Sequence, residues 1–283
     1  MSVILDGKQL SNTIKQKVKS EVELLVKEHG KSPHLVVILV GENPASETYV
    51  RAKEKACRRV GIRSTVIKQP DTITQEDLVQ LIHRLNQDED VHGILLQLPI
   101  PKHIDEEVVI NLIDPAKDVD GFTNEHVARL HKGLDAFVPC TPLGVMALLE
   151  AYQIDLAGKH AVVMGRSQIV GKPMASLLLK ANATVTMTHS KTVDIKDITK
   201  QADILVVAVG KAKMVDASYI KQGAVVIDVG ISKVDGKLSG DVDFDAVKEV
   251  ASYITPVPGG VGPMTIAELL NNTVKAFKQI IVK

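Results

Sequence analysis

Tyr49 and Lys53 stand four residues apart in Asn43-Pro-Ala-Ser-Glu-Thr-Tyr49-Val-Arg-Ala-Lys53. On a helix that spacing is one turn, so a phenol and an amine project from the same face. A lysine turned inward loses hydration, which disfavours its charged form, lowers its pKa and suits it to proton transfer. The plain alternative is a snorkelling lysine beside a half-buried tyrosine. Gln97 closes the apolar run Gly93-Ile-Leu-Leu-Gln97, and Asp118-Val-Asp120-Gly121 sets two carboxylates ahead of a glycine. The segment Gly165-Arg166-Ser167-Gln168-Ile169-Val170-Gly171 joins a strand to a helix, where backbone N–H groups and a positive helix end can receive a phosphate. It departs from G-x-G-x-x-G, because Ser167 replaces the second glycine and the last comes one residue late. An NAD-binding fold usually has an acid after its second strand to hold the ribose hydroxyls. Here that strand ends Thr188-His189-Ser190-Lys191, with no acid. Arg166 and Ser190, helped by Lys191, are suited instead to a 2′-phosphate, which favours NADP over NAD.

The elements that must position these groups read clearly. Asn43 can cap a helix, Pro44 suits its first position and Gly61 stops it. Ala45, Ala52, Ala56 and Val60 form its expected apolar stripe, with Tyr49 and Lys53 on or beside it. An amphipathic helix spans Gly7 to His29, and a buried strand follows from His34 to Val40. A strand from Arg63 to Lys68, a helix from Thr74 to Asn86 and a third strand at Gly93 to Pro99 come next. Near-continuous apolar runs linked by helices predict parallel strands covered on both faces, an α/β class. After Gly121 the chain is less regular up to Pro142, and the domain boundary is placed there. The alternation restarts with a strand over 158–165 and a helix from Lys172-Pro173. Strands are expected at Thr184–Thr188, Ile204–Val209, Val225–Val229 and Tyr253–Val257. The loop Pro258-Gly-Gly-Val-Gly-Pro-Met-Thr265 then leads into a long helix from Ile266 to Ile281.

Composition narrows the function classes. The 283 residues suffice for two α/β domains or for one large one. Lysine plus arginine balances aspartate plus glutamate at 34 each, so no global field favours nucleic acid or membrane. Two cysteines, Cys57 and Cys140, form no CxxC, and the nine histidines show no ligand spacing, so no metal site is expected. No signal-peptide core or membrane-length apolar run occurs, and a soluble cytoplasmic protein is the expectation. The absence of tryptophan argues against base-stacking platforms.

Taken in order, Tyr49-Val-Arg-Ala-Lys53, Gly93 to Pro99, Asp118-Val-Asp120-Gly121, Gly165-Arg166-Ser167 through Pro173, and Pro258 to Thr265 resemble one family. That family is the bifunctional methylenetetrahydrofolate dehydrogenase/cyclohydrolases, and the match spans nearly the whole chain. The resemblance implies two α/β domains flanking a cleft, the second Rossmann-like, usually in a homodimer. It assigns 1–138 to a folate-binding catalytic domain, with 266–283 packing back onto it, and 139–265 to an NADP-binding domain. It implies tetrahydrofolate derivatives as substrates and NADP as cofactor. Lys53 is then the acid/base group of the hydrolysis, Gln97 its hydrogen-bonding partner, and Tyr49 packs against the folate. Asp120 accepts hydrogen bonds from the pterin, while Pro258, Gly259 and Gly260 contact substrate. Gly165, Arg166, Ser167, Ser190 and Ile231 contact the cofactor.

Two other readings compete. Tyr-x-x-x-Lys is also the signature of short-chain dehydrogenases, but there the dinucleotide turn precedes the Tyr/Lys helix; here Tyr49 comes far before Gly165. A non-enzymatic nucleotide-binding module explains the Gly165 turn but leaves Tyr49, Lys53, Gln97 and Asp120 without a shared purpose.

Overall fold

The structure is a computed structural model and describes residues 2–281. The chain divides into two compact units, one built from residues up to 12 with 139–265, the other from 13–138 with 266 onward. Residues 1, 282 and 283, which the expected domain bounds include, lie outside the described residues. The first twelve residues differ from the sequence-derived boundary. Val3–Ile4 (β1) pairs in parallel with Tyr253–Ile254 at the far end of the chain, and two residues are too short a strand to show a pattern.

In the three-stranded unit, helix α1 (Gly7–His29) leads to β2 (His34–Val40), α2 (Pro44–Val60), β3 (Arg63–Gln69), α3 (Gln75–Gln87) and β4 (Gly93–Gln97). The sheet order is β3-β2-β4, all parallel. Central β2 is buried at every residue, as its apolar run demands, and edge strand β3 mixes exposed with half-buried positions. Val36, Ile38, Ile82, Ile94 and Leu96 anchor the core on the face covered by α3. The irregular stretch holds two short helices, α4 (Glu106–Ile110) and α5 (Asn124–His131). They are too short to carry a readable period.

The six-stranded unit contains α6 (Cys140–Ala151), β5 (His160–Met164), α7 (Gly171–Lys180), β6 (Thr184–Thr188), α8 (Ile195–Thr199), β7 (Ile204–Val207) and β8 (Val225–Asp228). A hairpin of β9 (Ser232–Val234) and β10 (Lys237–Ser239), then α9 (Phe244–Val247), precede the strand at 253–254, now β11. The parallel order is β1-β11-β8-β7-β5-β6. From β5 the chain crosses to β6 on one side and then to β7 on the other. The carboxyl ends of β5 and β7 therefore flank a topological switch point, where open α/β sheets bind ligands. The last helix, α10, runs Val261–Ile281 and begins five residues before the expected Ile266, so the glycine-rich loop is shorter than its sequence implies.

Candidate active site

Local capping fixes the Tyr49 helix. The Asn43 carboxamide accepts the N–H groups of Ala45 and Ser46 at 3.0 and 3.1 Å, and Gly61 ends the helix in the left-handed region at φ 82°. The buried face differs from the expected stripe. It comprises Ser46, Val50, Ala56, Cys57 and Val60, while Ala45 is exposed. The sheet selects the larger Val50 and Cys57 over Ala45, because burial follows apolar area. Lys53 lies in helical register with Val50, Cys57 and Val60, half-buried, and its amine donates to Gln97 Oε1 at 3.0 Å. The Gln97 amide in turn donates to the carbonyl of Leu98 at 2.8 Å, which orients its oxygen towards the lysine. Tyr49, 43% exposed, stands one helical turn before Lys53. Burial pushes the Cys57 thiol up to about 12, so it does not act as a nucleophile here.

Asp120 sits on a turn framed from several sides. The Asp118 carboxylate is buried and accepts the N–H groups of Gly121 at 2.9 Å and Thr123 at 2.8 Å, which shapes the turn. Gly121 takes φ 67°, and a Cβ there would stand 2.4 Å from the Phe137 carbonyl oxygen. Buried Lys117 donates to the carbonyls of Leu85, Asn86 and Asp88, capping the end of α3. From α10, Asn272 donates to the carbonyls of Val119 and Val138 at 2.8 and 3.1 Å. Sequence reasoning overlooked Lys117 and Asn272, since neither stands in a recognisable motif.

In the six-stranded unit, a cavity of about 350 Å³ opens at the switch point. Gly165 and Arg166 line it after β5, Thr188 to Ser190 after β6, and Ala208, Val209 and Lys211 after β7. The strand expected to reach Val209 stops at Val207, which frees this last wall. Gly165 takes φ 121°, and a Cβ there would meet the Ala208 carbonyl oxygen at 2.2 Å. The late glycine, Gly171, also has a reason: its Cβ would lie 2.3 Å from the Gly165 carbonyl oxygen, so the turn closes only without one. Ser167 Oγ accepts the N–H groups of Val170 and Gly171 at 3.2 and 3.3 Å, holding the start of α7. Buried Thr188 Oγ1 lacks a hydrogen-bond partner, and exposed Arg166 and Ser190 flank it. This set fits a dinucleotide carrying a 2′-phosphate: a Cβ-free cradle, an arginine and hydroxyl donors, with no acid at the strand end.

The Pro258–Gly260 loop follows a cis Val257–Pro258 bond. It is held by the start of α1, where Lys8 donates its N–H to the Gly259 carbonyl at 2.8 Å. Gly7 packs so closely that a Cβ would lie 1.9 Å from the Gly260 carbonyl oxygen. Ile231, 42% exposed, stands on the loop after β8. Among the described residues, no group of three or more His, Cys, Asp or Glu side chains is arranged to hold a metal, and no helix is long and apolar enough to cross a membrane.

Comparisons with known proteins also match the chain in two parts, although they place 266–281 with the second. The family model for the catalytic domain of tetrahydrofolate dehydrogenase/cyclohydrolase matches residues 5–120, and that for its NAD(P)-binding domain matches 139–281. The chain is 58% identical over 279 residues to the bifunctional protein FolD of Oceanobacillus iheyensis, covering 98% of each. Its structure superposes on the bifunctional methylenetetrahydrofolate dehydrogenase/cyclohydrolase of Campylobacter jejuni with TM-score 0.97 and 52% identity, covering 99% of each chain. The Trypanosoma brucei methylenetetrahydrofolate dehydrogenase-cyclohydrolase, complexed with NADP cofactor and inhibitor, matches with TM-score 0.94 and 43% identity over 98% of both.

Proposed function

Because the chain belongs to the tetrahydrofolate dehydrogenase/cyclohydrolase family and is a bifunctional enzyme of one-carbon folate metabolism, we propose that it oxidises methylenetetrahydrofolate to methenyltetrahydrofolate with NADP and hydrolyses the product to 10-formyltetrahydrofolate. The observation that carries the hydrolytic half is the Lys53–Gln97 hydrogen bond, an amine held at a fixed position by a neutral partner. Bound NADP supplies the hydride acceptor. Arg166 and Ser190 hold its 2′-phosphate, and Gly165, Ser167 and Ile231 shape the surface against which it lies.

Hydride loss leaves a delocalised cation whose bridging carbon is open to water. Ring opening then requires a proton to leave the added oxygen and one to reach the departing nitrogen. Lys53 moves that proton, and Gln97 keeps its amine from swinging away. Tyr49 packs against the folate, and Asp120 accepts hydrogen bonds from the amino-substituted pterin. Pro258, Gly259 and Gly260 are assigned to substrate contact. The reading includes a homodimer and a cytoplasmic setting. Sedimentation at working concentration tests the former, and a monomer would remove it.

Paired spectroscopic assays test the reactions: NADPH formation from methylenetetrahydrofolate, and decay of supplied methenyltetrahydrofolate, each with NADP and with NAD. Folded protein that performs neither reaction would overturn the proposal.

A further inference from the structure

Two buried carboxylates outside the assigned site tie together the loops that carry it. Asp241 is fully buried, and its Oδ2 accepts the N–H groups of Val209 at 2.7 Å and Gly210 at 2.8 Å. Val209 is part of the cavity wall. Asp228, 3% exposed at the end of β8, accepts the N–H groups of Gly230 and Asp241 on Oδ1 at 2.9 and 3.0 Å, and that of Val242 on Oδ2 at 2.9 Å. Its own N–H donates to Thr255 Oγ1 at 2.7 Å, which starts the loop leading to Pro258. Two glycines make room: a Cβ on Gly230 would lie 2.2 Å from Asp241 Cγ, and one on Gly240 would lie 1.9 Å from Asp228 Oδ2.

We propose that Asp228 and Asp241 are positioning residues for hydride transfer, fixing the 208–211 wall and the 229–231 loop against the dinucleotide and linking both to the loop after β11. The proposal rests on the NADP-dependent function given above. Loops that bind ligands gain precision when a rigid scaffold orders them. Here the ordering comes from acceptors that satisfy otherwise orphaned backbone N–H groups.

The hydrogen-bond pattern makes the two residues differ under substitution. Both oxygens of Asp228 accept N–H groups, so the amide of Asp228→Asn leaves at least one donor facing a donor. Asp241 uses only Oδ2, and Oδ1 has no hydrogen-bond partner. Asp241→Asn therefore keeps both bonds, and Asp241→Ala keeps neither.

The test is NADPH binding by fluorescence titration of the full chain, with cyclohydrolase turnover of supplied methenyltetrahydrofolate and amide exchange at Val209, Gly210 and Gly230 measured alongside. Asp241→Ala and Asp228→Asn should weaken NADPH by roughly tenfold or more, and Asp241→Asn by less than about threefold. The cyclohydrolase kcat should stay near the wild-type value, and exchange should quicken at Val209 and Gly210 in Asp241→Ala alone of the Asp241 variants. Wild-type NADPH affinity in Asp241→Ala and Asp228→Asn overturns the proposal. So does an equal loss of binding and cyclohydrolase turnover, which marks a merely structural role. If wild-type protein itself fails to bind NADPH, the function is at fault, and unchanged exchange at Val209 and Gly210 in Asp241→Ala then refutes the ordering independently.

Discussion

The Lys53 amine and the Gln97 carboxamide oxygen stand 3.0 Å apart, joining the third turn of α2 to the last residue of β4. Because the Gln97 N–H is already given to Leu98, the lysine meets an acceptor of fixed orientation and no opposing charge. The neutral amide holds the amine in place without tying it into an ion pair. Lys53→Met should therefore lower hydrolysis of methenyltetrahydrofolate on the order of 10²–10⁴-fold while NADP affinity stays nearly unchanged. Wild-type hydrolysis in that variant would remove Lys53 from its role.

Arg166 follows the first turn of the nucleotide-binding unit, on the wall it shares with Ser190. Arg166→Ala should weaken NADP by roughly 10- to 100-fold, the contribution of a charge-assisted phosphate contact, and NAD far less. Parallel titrations with the two dinucleotides decide the matter, since equal losses would show that Arg166 does not read the 2′-phosphate.

Lys117 is a stability element beside the Asp120 turn. Its amine satisfies three carbonyls at the end of α3, and burial lowers its pKa from the ordinary lysine value. Lys117→Met should cost about 2–4 kcal/mol in urea unfolding by orphaning those carbonyls. An unchanged midpoint and slope would show that solvent replaces the cap at little cost.

His92 should give the protein an acid-sensitive component. Burial, with the neighbouring His34 and Lys117 charges adding to it, pushes its imidazole down to about 4 from 6.5, so the folded state holds it neutral. Its Nδ1 accepts the His34 N–H, and its ring meets Phe277 edge-on at 4.7 Å. The folded pKa lies below the unfolded one, so its contribution is complete above pH 6.5 and is lost as pH falls towards 4. His92→Asn keeps an acceptor for His34 without that titration. The stability advantage of wild type over this variant should shrink by on the order of 2 kcal/mol between pH 7 and pH 4. A pH-independent difference would place the titration elsewhere.

Much of this molecule was legible in its sequence because the signals are local. Asn43, Pro44 and Gly61 delimit α2 within the chain itself, and the run His34–Val40 becomes the central strand because only a strand covered on both faces stays apolar throughout. The order of the Tyr49, Gln97, Asp120, Gly165 and Pro258 motifs pointed to a dehydrogenase/cyclohydrolase, and the family comparisons agree.

Tertiary structure decided what depends on residues far apart in sequence. The pairing of Val3–Ile4 with Tyr253–Ile254, the true buried stripe of α2, and the early start of α10 at Val261 all follow from what each segment packs against. So does the use made of particular side chains. No spacing rule links Asn272 to Val119 or Asp241 to Gly210, because a hydrogen bond closed by folding leaves no period in the chain. Sequence by itself determined the order of the motifs that mark the family; the fold determined which polar groups hold them, since buried donors must find acceptors wherever packing brings them.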